Sequence, residues 1–155
     1  FHNQILPLIL SIQPEIIFCI VGNDPPEQIR RLMRHQNVVV TGHVPETRPY
    51  FDEAAVFVSP MRAGSGLQVK NLEAMAMGVP VVTSSLGALG LDAKVGQEIL
   101  VADDPEVFAK HVLDLIESKN FRRSVGTAGR RLVEEKYSWP VLVEQLEAVY
   151  AHICK

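Results

Sequence analysis

An α/β domain with a doubly wound parallel sheet is the fold class this sequence predicts, and three observations predict it. Five short runs rich in β-branched residues recur along the chain, each closing on small or turn-forming residues. Longer amphipathic stretches separate them. None of the runs alternates apolar with polar residues, and strands without alternation belong to parallel sheets covered on both faces.

The elements follow in order. Phe1 to Leu10 reads FHNQILPLIL, with apolar residues from the start and no initiator Met. It reads as a chain entered in or just before a helix, a fragment of a longer protein. Ile16 to Val21 is the first strand, closing on Gly22, and about 26–35 the first full helix. Val38 to Val40 closes on Thr41-Gly42, and about 47–53 is helical. Val56 to Val58 closes on Ser59-Pro60, with a helix at about 67–77 stopped by Gly78 and Pro80. Val81-Val82 closes on Thr83-Ser84-Ser85, and Ile99 to Val101 on Ala102-Asp103-Asp104. Asp104 then suits an N-cap and Pro105 a first helical position for a helix at about 105–118, followed by helices at about 121–135 and 139–152. Strand and helix alternating in this way imply right-handed crossovers. Ligands of such sheets bind beyond the carboxyl ends of the strands, near a topological switch point. The loops after Val21, Val40, Val58, Val82 and Val101 are therefore the ones to examine.

The bulk numbers agree with one domain over residues 1–155. Apolar residues make up 47% and charged residues 21% of 155, enough for a packed core and against disorder. A net charge of −3 argues against a nucleic-acid partner. Cys19 and Cys154 form neither a disulfide framework nor a zinc pattern, so a reducing cytoplasm is the default. No apolar run approaches the ~18 residues that a membrane span needs, and no secretory signal is visible.

The chemistry lies after the third run, in Gly64-Ser65-Gly66-Leu67-Gln68-Val69-Lys70-Asn71-Leu72-Glu73. Small residues let a ligand approach the backbone, and the loop opens onto a helix. The free N–H groups of that helix end carry roughly half a positive charge, a seat for phosphate or another anion. At about 100° per residue, Val69, Leu72 and Ala76 share one face, which is the expected buried stripe. Glu73 then stands at its border, one turn beyond Lys70 and on the same side. Such a carboxylate can accept two hydroxyl hydrogen bonds from a ribose. The plain alternative is a Lys70–Glu73 surface ion pair worth under ~1 kcal/mol.

The stretch GSGLQVKNLEAMAMGVPVV resembles the signature of the group 1 (family 4) retaining glycosyltransferases of GT-B architecture, in the branch reading Gly-x-Gly-x-x-x-Lys-x-x-Glu-Ala-Met-Ala-x-Gly-x-Pro-Val-Val. IVGNDP, VVVTGHVPETRPYFDEAAVFVSP and YSWPVLVEQLEAVY are similar to other stretches of that family's C-terminal half. The resemblance implies a Rossmann-like, nucleotide-sugar-binding domain whose N-terminal acceptor domain is absent from this chain. It implies a UDP- or GDP-sugar donor, an acceptor sugar or lipid-linked sugar, and no metal or other cofactor. Gly64, Ser65, Gly66, Leu67 and Lys70 would meet the donor diphosphate and sugar, with Arg62 a further candidate facing either a phosphate or the partner domain. Glu73 would take the ribose, and Gly42, His43 and Val44 would flank the nucleobase. Counting back eight positions from Glu73, where many members carry a second glutamate, lands on Ser65. The identity of the donor sugar is therefore open. No catalytic base or nucleophile is assigned, so the isolated chain is expected to fold without turning over. The full protein would be cytoplasmic, with peripheral attachment at the inner membrane surface as one option.

Other residues carry plainer readings. Asn23-Asp24 is a turn that faces the cleft. Arg30, Arg31 and Arg34 read as a solvated helix face, as do Arg122-Arg123 and Arg130-Arg131. The loop Ser84 to Leu91 is a further candidate near the phosphates. Trp139 reads as a packing anchor. The His, Asp and Glu residues show no metal-ligand spacing. Two rivals stand beside the main reading: half of a nucleotide-sugar epimerase, and a non-catalytic or regulatory nucleotide-binding α/β module.

Overall fold

The computed structural model describes residues 1–153, so Cys154 lies outside the described residues. The chain opens with a short helix, α1 (Leu6–Leu10), which buries Leu6 and Ile9. Strands β1 (Phe18–Ile20) and β2 (Val38–Val40) pair in parallel, with Cys19 opposite Val39. Between them α2 (Glu27–Arg30) runs into a single 3-10 turn over Arg31–Arg34. Helix α3 (Arg48–Glu53) leads to β3 (Phe57–Ser59), α4 (Val69–Ala76) to β4 (Val81–Thr83), and the one-turn α5 (Ser85–Ala88) to β5 (Leu100–Val101). Three helices close the chain: α6 (Pro105–Glu117), α7 (Lys119–Lys136) and α8 (Trp139–Ile153). Strands β3, β4 and β5 form a second parallel sheet in that order.

Local chemistry sets the helix boundaries. The Asp104 carboxylate accepts the N–H groups of Glu106 and Val107 at 2.9 and 3.0 Å, and Pro105 needs no partner at the first position. Ser118 ends α6 and caps α7, its hydroxyl accepting Phe121 N–H at 3.2 Å. Helix α4 stops where Gly78 turns to φ +74°, a left-handed conformation that glycine adopts without strain. The core is in two adjoining parts. One gathers Ile5, Ile9 of α1, Val82, Leu100 and the inner face of α6 around Phe108. The other joins Ala74 and Met75 of α4 to Val81, Ile99 and Leu132 of α7.

The parallel α/β class stands, with corrections to its parts. The strands form sheets of two and three rather than one continuous sheet. Cover on both faces fails at β1 and β2, where Cys19 and Val39 are exposed. Helix α3, which follows β2, has six residues, and its Phe51 packs on the core around Val81 and Ile99. The buried side of α4 is Asn71, Ala74 and Met75, not Val69, Leu72 and Ala76; Val69 is 59% exposed. Trp139 is 80% exposed and no residue of α8 is buried, so it anchors nothing within this chain. Arg122 is no freely solvated residue, since its guanidinium reaches the Leu115 and Ile116 carbonyls at the end of α6, both at 3.4 Å.

Candidate functional site

The loop after β3 is open, as its glycines require. Gly64 sits at φ +136° and Gly66 at φ +78°, conformations that a side chain disfavours. Residues 62–67 are exposed, and nothing lies within 4 Å of where a Cβ on Gly66 would stand. The Gln68 side-chain amide donates to the Gly66 carbonyl at 3.2 Å, bracing the bend rather than capping the helix. No side chain caps α4. Its first backbone bonds run from Asn71 and Leu72 N–H to the Gln68 carbonyl. The N–H groups of Val69 and Lys70 are thereby left to face the loop, which is the arrangement that receives an anion.

Lys70 and Glu73 stand at the mouth of this bend. Lys70 Nζ lies 2.8 Å from Glu73 Oε2. The two side chains are 66% and 39% exposed, so this pair contributes little to stability, at most about 1 kcal/mol. The pairing matches the plain alternative and also keeps both groups beside the open bend.

The loops after β3 and β4 and helix α4 are tied together by side chains, of which only Ser84 lies in a loop that the sequence pattern singled out. Thr83 Oγ1 donates to the Ser59 carbonyl at 2.8 Å, and Ser84 Oγ to the Met61 carbonyl at 2.8 Å. Asn71, fully buried on α4, donates its amide to the Gly87 carbonyl at 2.8 Å. Its Oδ1 has no partner among the described residues. No local signal set Asn71 apart, since Lys70 and Glu73 beside it on α4 are polar too. The loop Ser84 to Leu91 also approaches the glycine bend, with the Leu67 Cα 3.6 Å from a Cβ position on Gly90.

Asp103, after β5, completes the tie. Its carboxylate accepts the Ser85 hydroxyl at 2.6 Å and the Ser85 N–H at 2.8 Å. Those two bonds, the hydroxyl first, hold its carboxyl below the ordinary carboxylate range. A carboxyl whose pKa is lowered by folding stabilises the fold above its unfolded pKa of about 3.9, and that contribution is lost as pH falls through the lowered value. Asp103→Asn should therefore lower the thermal midpoint at pH 7, with the gap to the parent closing in acid once the pH has fallen through the lowered value. Melting curves at both pH values check this; a gap that persists unchanged in acid would assign it to packing instead.

The other candidates fall into a second area. Gly42 and His43 line a cleft of about 250 Å³ at the carboxyl ends of β1 and β2, together with Asn23, Asp24, Pro25, Arg30, Met33, Val40 and Thr41. Val44 and the Gly64–Lys70 stretch do not line it. Arg30 departs from the solvated reading: its Nε donates to the Pro25 carbonyl at 2.9 Å and it forms part of the cleft wall. The Arg62 guanidinium donates to the Gln4 side-chain carbonyl. Among the described residues, no cluster of His, Cys, Asp and Glu has the form of a metal site, and no helix is long and apolar enough to cross a membrane.

The fold is thus a parallel α/β domain with an open glycine bend ahead of an uncapped helix. Residues 1–118 match the family "Glycosyl transferases group 1", and the chain belongs to it. It is 31% identical over 122 residues to the capsular polysaccharide biosynthesis glycosyltransferase CapM of Staphylococcus aureus, covering 77% of this chain and 32% of that protein. The chain thus spans about a third of that relative's length. Among solved structures it is similar to Anabaena HepE in complex with UDP, with a TM-score of 0.82 and 14% identity, over 97% of this chain and 44% of that one. It is also similar to the C-terminal domain of the group 1 family protein LpcC from Francisella tularensis, with a TM-score of 0.73 and 16% identity, over 88% and 77% of the two chains. At these identities the solved structures speak for the fold.

Proposed function

We propose that this chain is the donor-binding part of a glycosyltransferase that moves a sugar from a nucleoside-diphosphate sugar to an acceptor with retained anomeric configuration. The observation that carries the reading is the open Gly64–Gly66 bend running into the uncapped amino end of α4, with Lys70 and Glu73 at its mouth. The diphosphate rests on the Val69 and Lys70 N–H groups and the Lys70 ammonium, Glu73 accepts the ribose hydroxyls, and the cleft at Gly42 and His43 takes the base. The HepE structure with UDP and the capsular polysaccharide role of CapM are in keeping with this. Charge that develops on the leaving diphosphate is stabilised by the helix end and Lys70, which is how a domain without its own base contributes to transfer. A preceding N-terminal domain would supply the acceptor side of the cleft.

Thermal shift with UDP, GDP and ADP tests the proposal. A nucleotide held at about a hundred times its Kd stabilises the folded state by about 2.7 kcal/mol, or about 5–10 °C in a domain of this size. At least one of UDP and GDP should give such a shift, and EDTA should leave it in place, since the helix end and Lys70 neutralise the diphosphate. No shift with any of the three, in a chain shown to be folded, would turn the reading toward a module kept for protein contacts. A shift abolished by EDTA would overturn the metal-independent part.

A further inference from the structure

We propose that Asn71 is a positioning residue that fixes the amino end of α4 while leaving it open, doing from inside the fold what an N-cap side chain would do from outside. This role rests on the donor-site reading and adds what keeps that site in place. A helix end that receives an anion faces a conflict. A capping side chain fixes the first turn by accepting the same free N–H groups that the anion needs. Helix α4 has no such cap, and the side-chain amide of Gln68, at its N-cap position, donates instead to the Gly66 carbonyl at 3.2 Å. An uncapped first turn frays unless another contact holds it.

Asn71 makes that contact. Residues 62–67 ahead of the helix are exposed, and so are Val69 and Lys70. Asn71 is the first residue of α4 to be buried, and its burial is complete. Its backbone N–H closes the first turn on the Gln68 carbonyl at 3.0 Å, while its side-chain amide leaves the helix and donates to the Gly87 carbonyl at 2.8 Å. One residue thus belongs to the first turn and ties it to another element. The next buried residues, Ala74 and Met75, lie in the second turn and hold the helix body rather than its end.

The far end of the tie is itself fixed. A Cβ on Gly87 would stand 2.2 Å from Thr83 Oγ1 and 3.3 Å from the Ser59 carbonyl oxygen, so the α5 turn lies directly against the ends of β3 and β4. Gly87 N–H donates to Ser84 Oγ at 3.2 Å, and that hydroxyl donates to the Met61 carbonyl at 2.8 Å. The start of α4 is therefore registered to the strand ends through Asn71, and the exposed bend is left free. The side chain's own chemistry points beyond packing. Among the described residues, Asn71 Oδ1 is the buried side-chain polar atom that lacks a hydrogen-bond partner. A buried acceptor without a partner destabilises a fold, so packing alone does not call for asparagine here. Leucine has the same branching at Cγ and neither polar group. It removes the partnerless Oδ1 but takes from the Gly87 carbonyl its donor, so stability changes little while the tie is lost.

Titration calorimetry of the parent, Asn71→Leu and Met75→Leu with UDP and GDP tests this, together with the melting midpoint of each protein without ligand. Asn71→Leu should bind the nucleotide that the parent takes at least about tenfold more weakly, as when one hydrogen bond to a charged phosphate is lost. Its midpoint should stay within about 5 °C of the parent's. Met75→Leu alters a buried contact of the same helix without touching the tie, and should bind like the parent. The matching nucleoside has no phosphate to place on the helix end. Followed by chemical-shift titration, it should bind Asn71→Leu as it binds the parent. Equal nucleotide affinity in parent and Asn71→Leu would overturn the role of Asn71 and leave the donor site standing. An equal loss for nucleotide and nucleoside would also overturn it, because the damage would then be general. A parent that binds neither UDP nor GDP overturns the donor reading, and the role of Asn71 with it. Should Asn71→Leu fail to fold, Asn71→Ala, which adds no bulk, is read in the same way.

Discussion

Gly126→Ala is expected to lower the thermal midpoint by about 5–15 °C, a loss of about 2–4 kcal/mol in a domain of this size. Glycine inside a helix is ordinarily a weakness, and replacing it by alanine in a solvated helix gains about 1 kcal/mol. Here the sign reverses because of what α7 touches. A Cβ on Gly126 would stand 2.1 Å from the Gly78 carbonyl oxygen and 3.1 Å from its carbon. Both are backbone atoms at the stop of α4, where Gly78 is held at φ +74° and Pro80 limits the turn, so neither can swing aside. Three residues on, a Cβ at Gly129 would stand 3.0 Å from the Glu98 carbonyl oxygen. The two glycines form a notch that lets α7 lie against α4 at backbone distance. Ser124→Ala, at an exposed position of the same helix, is the control for propensity and should be neutral or slightly stabilising. A midpoint for Gly126→Ala equal to or above the parent's would show that α7 stands further off.

This notch also explains what was legible in the sequence and what was not. Signals that act within a few residues were readable: Asp104-Pro105 as a helix start, Gly78 and Pro80 as a stop, and Gly64-Ser65-Gly66 as an open bend ahead of a helix. Each depends on dihedral preference or on bonds to neighbouring backbone, which travel with the residues themselves. The buried side of α4 was not readable in that way. Val69, Leu72, Ala74, Met75 and Ala76 put apolar groups nearly all round a short helix, and the choice among faces is made by the α7 notch, more than forty residues away. Asn71 thereby ends up fully buried, tying α4 to Gly87, while Val69 is left outside. The division of the sheet has the same origin, because pairing depends on which segments are present to lie side by side. Trp139 shows the converse. Its apolar character was plain, but the surface it would pack on is a matter of tertiary structure, and α8 finds none here. In the candidate site, Lys70, Glu73 and the glycines were read from local pattern, whereas Arg62's turn toward Gln4 and Arg30's place in the cleft wall depend on contacts made in three dimensions.

Lys70→Ala is expected to weaken UDP or GDP binding ten- to a hundredfold, whichever nucleotide the chain takes, with the thermal midpoint of the unliganded protein nearly unchanged. A hydrogen bond to a charged group is worth about 1.5–3 kcal/mol, and each 1.4 kcal/mol is about tenfold in Kd. The stability side follows from position. Lys70 lies in the first turn of α4, where a cation opposes the helix dipole at a cost of about 0.3–1 kcal/mol. Its exposed bond to Glu73 returns a similar amount, so removing the side chain deletes two small terms of opposite sign. Only a bound anion makes the position favourable, because the diphosphate reverses the sign of the local charge. Glu73→Gln separates the two readings of the pair. A purely structural ion pair predicts that Glu73→Gln lowers stability slightly, by under about 1 kcal/mol, while Lys70→Ala stays near neutral, and that neither changes nucleotide affinity. A donor site predicts that both weaken binding, and that their combined effect departs from the sum, since the diphosphate frees Glu73 by taking Lys70 from it. Titration calorimetry of the parent, both single variants and the double variant against UDP and GDP gives all four affinities. Equal affinity in parent and Lys70→Ala would remove this lysine from the site, and with it the argument that the exposed start of α4 is held open for a phosphate.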